Sequence, residues 1–148
     1  MSLAIPLPHP FARAMPVLDC TDMARAIAFY KDKLGFDAST FGEPPTFAIL
    51  QRGTVTLGLA RADQGMAAIG GNWAAYVYVA DADAAYAEFA AHGVPLTEPP
   101  QDKFYNCRDF TLADPDGHLL AFGHTLDTDP LGPGLSLRVG RDREAATS

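Results

Sequence analysis

Basic residues are scarce in this chain of 148 residues: Lys and Arg number 11 against 18 Asp and Glu, a formal charge of −7. A groove that tracks a nucleic-acid backbone must neutralise phosphates, so this balance argues against nucleic-acid binding. Cysteine is scarcer still. Cys20 and Cys107 are the only two, too few for a disulfide framework or a zinc cluster, and they read as buried reduced thiols of a cytoplasmic protein. No apolar run approaches the roughly 20 residues that a membrane-spanning helix needs. Pro6, Pro8, Pro10 and Pro16 interrupt the opening segment, which lacks the continuous apolar stretch of a secretion signal. Serine occurs only at positions 2, 39, 136 and 148, none in a nucleophile-elbow pattern. The pair Gly70-Gly71 has no helix-opening sequence behind it to cradle a phosphate.

What is present is apolar mass. The chain is 48% hydrophobic and 20% charged, a globular composition with enough hydrophobic material for a sizeable core. It also repeats itself once. Val17-Leu18-Asp19-Cys20, Thr21-Asp22, an amphipathic stretch to Leu34 and Gly35 are matched by Tyr76-Val77-Tyr78-Val79, Ala80-Asp81, a second amphipathic stretch to His92 and Gly93. The copies are offset by 59 residues, from Asp22 to Asp81, a period on the scale of a structural repeat.

Each copy predicts the same local structure. An apolar strand leads into a helix, with Thr21 or Asp22 as the cap of the first and Asp81 or Asp83 of the second. Met23, Ala26, Ile27, Tyr30 and Leu34 recur at helical spacing, as do Ala82, Ala85, Tyr86 and Phe89. Gly35 and Gly93 supply the left-handed residue that ends each helix. Three strands should follow: 36–40, 46–51 and 55–60 in the first copy, then 94–97, 108–113 and 118–124 in the second. Asp114-Pro115-Asp116-Gly117 is a strong turn signal, since Pro presets one turn angle and Gly accepts a positive φ. The fold class expected is α+β, two β-α-β-β-β modules (14–60 and 73–125) forming a curved sheet around a cavity. An arm (1–13) and an extended tail (126–148) flank them, and the tail is expected against a partner subunit.

The segments Met15-Pro16-Val17-Leu18, Phe29-Tyr30-Lys31-Asp32-Lys33-Leu34-Gly35-Phe36 and Asp114-Pro115-Asp116-Gly117-His118 resemble the vicinal oxygen chelate superfamily. That superfamily includes glyoxalase I, extradiol dioxygenases, fosfomycin-modifying enzymes and bleomycin-resistance proteins. The resemblance spans residues 14–125 and implies paired modules around a cavity, often completed by dimerisation. It also implies metal-ligand positions at Met15, Gly58, Ala74 and Ala121. Enzymes of the superfamily hold a divalent ion there with His and Glu, and none of these four residues is a donor for a hard or borderline cation. His9, His92, His118 and His124 read as surface or structural histidines, the last two on the strand face opposite Ala121.

The resemblance is nearest to the bleomycin-resistance type and implies ligand-binding positions. Phe47 aligns with a cavity-lining aromatic, and Ala74, Tyr76 and Tyr78 share the strand face that points inward. Tyr105, Asn106 and Arg108 stand where a cavity-lining strand begins. This sequence has Asn106-Cys107 where those proteins often carry Trp-Gly, which leaves the identity of the ligand open. The expectation is a homodimeric small-molecule binder without metal or cofactor, its arm over residues 7–17 exchanged between subunits. An aromatic guest suits the tyrosines, and the acidic balance favours a cationic one. Two alternatives stand beside it: a metal-dependent or atypical lyase or dioxygenase of the same superfamily, and an interaction module that takes no ligand.

Overall fold

Two aspartates start the helices. Asp22 accepts a hydrogen bond from the Arg25 amide, and Asp81 accepts from the amides of Asp83 and Ala84, each satisfying donors that the first helical turn leaves unpaired. The computed structural model describes Pro10, residues 13–62 and residues 72–126. Its elements are β1 (Val17–Cys20), α1 (Met23–Ala28), β2 (Asp37–Phe41), β3 (Phe47–Arg52), β4 (Val55–Arg61), β5 (Trp73–Tyr78), α2 (Ala82–Ala91), β6 (Gln101–Lys103), β7 (Cys107–Ala113) and β8 (Leu119–Thr125). A π-helical turn over Phe29–Lys33 continues α1. Gly35 and Gly93 then leave the helices with φ of 77° and 79°, a conformation that costs a side chain with a Cβ but not glycine.

The strands form two sheets of four, ordered β1-β4-β3-β2 and β5-β8-β7-β6. In each, the first strand pairs parallel with the last and the remaining pairs are antiparallel. The registers match: Val17 stands opposite Gly58 and Tyr76 opposite Ala121, so the sequence repeat is a structural one. The fold is α+β with two open sheets.

Each helix covers one face of its own sheet. Leu18, Cys20, Ala48, Leu50, Leu57 and Leu59 are buried with Met23, Ala26, Tyr30 and Leu34 of the first helical segment. In the second module Phe110 and Phe122 stack at 5.6 Å, and Phe89 of α2 meets both edge-on, contacts worth about 1 kcal/mol each beyond the area they bury. Alternation along the strands leaves the opposite, open faces to Phe47, Ile49 and Gly58 in one sheet and to Cys107, Asp109, Ala121 and Gly123 in the other.

Polar contacts join the modules. The Tyr30 hydroxyl donates to Asp114, the Thr21 amide and hydroxyl donate to Asp116, and the His118 ring meets the Asp19 carbonyl at 2.6 Å. Lys33 donates to the His92 carbonyl, and Arg52 pairs with Glu88 through both terminal nitrogens.

The strand expected over 94–97 is absent; the second module instead places β6 at Gln101–Lys103. Pro95 has no amide proton and Pro99-Pro100 follows closely, so the segment cannot build a ladder, and Val94 serves instead as a buried residue behind the helix end. The polar residues of β6 carry no hydrophobic alternation, and pairing with β7 alone makes them a strand. Residues 1–9 and 11–12 of the expected arm, and the tail after Leu126, lie outside the described residues.

Candidate functional site

The open face of the second sheet carries a line of aromatic rings. Tyr76 and Tyr78 project from β5 on the side opposite buried Val77, with ring centroids 5.1 Å apart. A register irregularity between Trp73 and Ala75 changes which neighbour joins them. Regular alternation predicts Ala74 on this face; the irregularity pairs Trp73 with Leu119 and brings its indole to 5.0 Å from Tyr76 and 5.9 Å from Tyr105. Trp73 and Tyr78 are 45% and 49% exposed, well above what rings of that size retain in a core.

Beneath the rings lies Asp109, 2% exposed. Its Oδ2 accepts from the Tyr76 hydroxyl at 3.0 Å and from the Tyr105 hydroxyl at 2.6 Å, while Lys103 Nζ stands 3.7 Å from Oδ1. A buried carboxylate requires such partners to be tolerated away from water. Burial first, then the bonds to Cys107 and Asp109, push the Tyr76 phenol far above its ordinary range. Burial and the bond to Asp109 do the same for Tyr105. Both hydroxyls therefore stay protonated.

Gly123 makes this arrangement possible. It sits opposite Asp109 across β7 and β8, and a Cβ there would overlap the Tyr76 hydroxyl and stand 2.7 Å from Asp109 Cβ. The phenol reaches Asp109 by crossing β8 where β8 has no side chain.

The sequence-predicted site residues separate. Tyr76, Tyr78 and Tyr105 come together in this wall. Phe47 lies on the open face of the first sheet, its ring 6.2 Å from Phe41, and a Cβ on Gly58 would touch both Phe47 and Met15. Asn106 has φ of 66° and its amide donates to the Lys103 carbonyl, so it closes the β6–β7 turn in the left-handed conformation that Asn tolerates. Arg108 projects from the other side of β7. It binds Asp83 through Nε and Nη2 and Asp102 through Nη1, so the structure joins it to the start of α2 and to β6 rather than to the aromatic wall. Sequence reasoning missed Asp109, Gly123 and Trp73. The available signal was an aspartate in the middle of Cys107–Ala113, since strands disfavour Asp and a buried one needs partners.

Two hollows border Tyr78. One, about 250 Å³, lies between the open ends of the modules with Ala14, Pro16, Thr56 and Tyr76 in its lining. The other, about 430 Å³, lies on the α2 side between Val55, Val77 and Phe89, with Arg52 and Glu88 at its edge.

The four positions that the resemblance implies for a metal carry no matching donors. Met15, Gly58, Ala74 and Ala121 offer one thioether and no imidazole or carboxylate, and hard or borderline ions need the latter two. Among the described residues no three His, Cys, Asp or Glu side chains cluster to replace them. His124 Nδ1 accepts from the Ala82 amide and His118 serves the module junction.

Residues 14–122 match the model of the Glyoxalase/Bleomycin resistance protein/Dioxygenase superfamily, and this chain belongs to that superfamily. Among solved structures it is similar to the bleomycin-binding protein of bleomycin-producing Streptomyces verticillus, complexed with copper(II)-bleomycin, at 27% identity and TM-score 0.65, over 77% of this chain and 96% of that one. It shares its fold with the bleomycin resistance determinant encoded on transposon Tn5, at 24% identity and TM-score 0.67, over 78% and 98% of the two chains. TioX from Micromonospora sp. ML1 matches at 25% identity and TM-score 0.59, over 77% and 100%. No curated protein matches the chain.

Proposed function

We propose that this protein binds a small aromatic molecule on the open face of its second sheet and holds it without chemical change. The observation that carries the reading is the half-exposed wall of Trp73, Tyr76, Tyr78 and Tyr105, with the Tyr76 and Tyr105 hydroxyls tied to a buried carboxylate. Such rings offer flat apolar surface at little cost in side-chain entropy, which suits stacking on a heteroaromatic guest. The bleomycin complexes of similar proteins support an antibiotic-like ligand. The missing metal donors support sequestration over a lyase or dioxygenase reaction.

The same reading takes the protein as a cytoplasmic homodimer whose subunits cover each other's open faces. Val17 and Phe41 on the first sheet are each 50% exposed, and apolar side chains left in this way favour a partner surface. Phe47 would then join the tyrosines as part of the ligand cavity of the assembled dimer.

Trp73 is the only tryptophan, so its emission reports on the wall directly. Titration with bleomycin and with flat aromatic compounds should quench it in a saturable way, with no stoichiometric divalent ion in the purified protein. Quenching that requires an added divalent metal, or turnover of the added compound, would favour the enzyme reading. A monomeric mass in solution would remove the dimer.

A further inference from the structure

β5 presents a different surface on each side. Tyr76 and Tyr78 face the open side, while the buried Val77 faces α2. The hollow of about 430 Å³ lies on that second side, in the seam between the modules, and its size falls within the roughly 300–1,000 Å³ of small-molecule sites. Phe36, Val77, Phe89 and Phe122 form its floor, all of them buried core residues. Val55 and the turn at Gly53 bound it from the first module, and Ala84 and Ala85 of α2 from the second. The charged residues of its lining already have partners. Arg52 binds Glu88 through both terminal nitrogens and the Leu34 carbonyl through one of them, and Asp81 accepts from two amides of α2. The outer edge of β5, which pairs with no strand among the described residues, runs along the lip at Val77 and Tyr78.

We propose that this hollow is a second ligand site, distinct from the aromatic wall, and that it takes a small, neutral, mainly apolar molecule with one hydrogen-bonding group. The apolar floor gains buried area and dispersion contacts from such a guest. With Arg52, Glu88 and Asp81 already paired, an ion entering the hollow would give up water for no free partner. A single neutral hydroxyl or carbonyl group can instead reach the outer backbone groups of the β5 edge. Because Val77 and Tyr76 project from opposite sides of one strand, the two sites stand back to back and are filled separately. The second site adds to the binding reading above and does not depend on it.

The probe is 1-adamantanol, whose rounded aliphatic frame has no flat face to stack on the tyrosines. It should shift the backbone amide NMR signals of Gly53, Ala84 and Phe89 in a saturable way, with a Kd below about 1 mM. 1-Adamantanecarboxylate and 1-adamantylammonium share that frame and carry opposite charges, and each should bind at least about tenfold more weakly. Ala84→Leu, at an exposed helix position where Leu is well accepted, fills the hollow from α2. Val55→Phe fills it from the first module and serves if Ala84→Leu does not fold. Either variant should weaken 1-adamantanol binding at least about tenfold, with quenching of Trp73 by flat aromatic compounds unchanged. No saturable shift, shifts centred on Trp73, Tyr76 and Tyr105, or undiminished binding in the folded variants overturns the second site. Binding of either ion as tight as that of the alcohol overturns the neutral class assigned to it. All of these outcomes leave the aromatic wall standing, because Trp73 quenching by flat compounds tests the wall independently.

Discussion

The hydroxyl of Tyr30 donates to Asp114 Oδ2 at 2.7 Å, joining the helical segment of the first module to the β7–β8 turn of the second. Asp114 Oδ1 meanwhile accepts from the amides of Asp116 and His118. One buried carboxylate thus shapes the turn and fastens the modules. Removing the hydroxyl leaves a buried charge with one partner fewer. Tyr30→Phe should lower unfolding stability by about 1.5–3 kcal/mol, read from the urea midpoint at pH 7, with Trp73 quenching retained because Tyr30 lies away from the aromatic wall.

Gly123 offers a sharper test of the wall. Gly123→Ala places a methyl where the Tyr76 hydroxyl crosses β8, so the phenol must leave Asp109. A loss of about 1–3 kcal/mol in stability is expected from the overpacking, together with a shift in Trp73 emission and weaker probe binding. An unaltered emission spectrum would mean that the phenol does not cross there.

Arg108 gives the opposite expectation. Its guanidinium is bound on the α2 side of the sheet by Asp83 and Asp102, and ion pairs at exposed positions contribute little. Arg108→Ala should leave quenching of Trp73 by aromatic probes unchanged. A marked loss of affinity would place Arg108 in the ligand site after all.

Alkaline pH should weaken the fold through Cys20. Burial, reinforced by the negative charges of Asp116, Asp114, Asp19 and Asp22, pushes this thiol up from 9.0 to about 11. The folded protein therefore keeps a proton that the unfolded chain releases first. That contribution to stability is complete below about pH 9 and is lost as pH rises toward 11. Urea midpoints measured across this interval should fall, and in Cys20→Ala they should fall less steeply from a lower starting value. The buried phenols of Tyr30 and Tyr76, also held above their ordinary range, extend the loss to higher pH.

Local rules carried much of the architecture. The caps at Asp22 and Asp81, the helix-ending Gly35 and Gly93 and the turn before Gly117 each depend on neighbours within a few residues. Helical spacing named the buried sides of both helices for the same reason, since Tyr30, Leu34, Ala82 and Phe89 face inward. Where a strand depends on its partner, reading along the chain failed: β6 has no apolar pattern of its own, and residues 94–97 looked like a strand until Pro95 is asked to join a ladder.

The site divides along the same line. The alternation of Ala74–Val79 was enough to place Tyr76 and Tyr78 on one face, and the resemblance was enough to point to Met15, Gly58, Ala74 and Ala121 as the positions to inspect for metal donors. The role of Asp109 became visible only in three dimensions. Its partners come from β5, from the β6–β7 turn and from β6, and the glycine that admits one of them lies on β8. Periodicity records which side of its own element a residue occupies. Which phenol reaches which carboxylate across neighbouring strands is set by register and by the space that a missing side chain leaves.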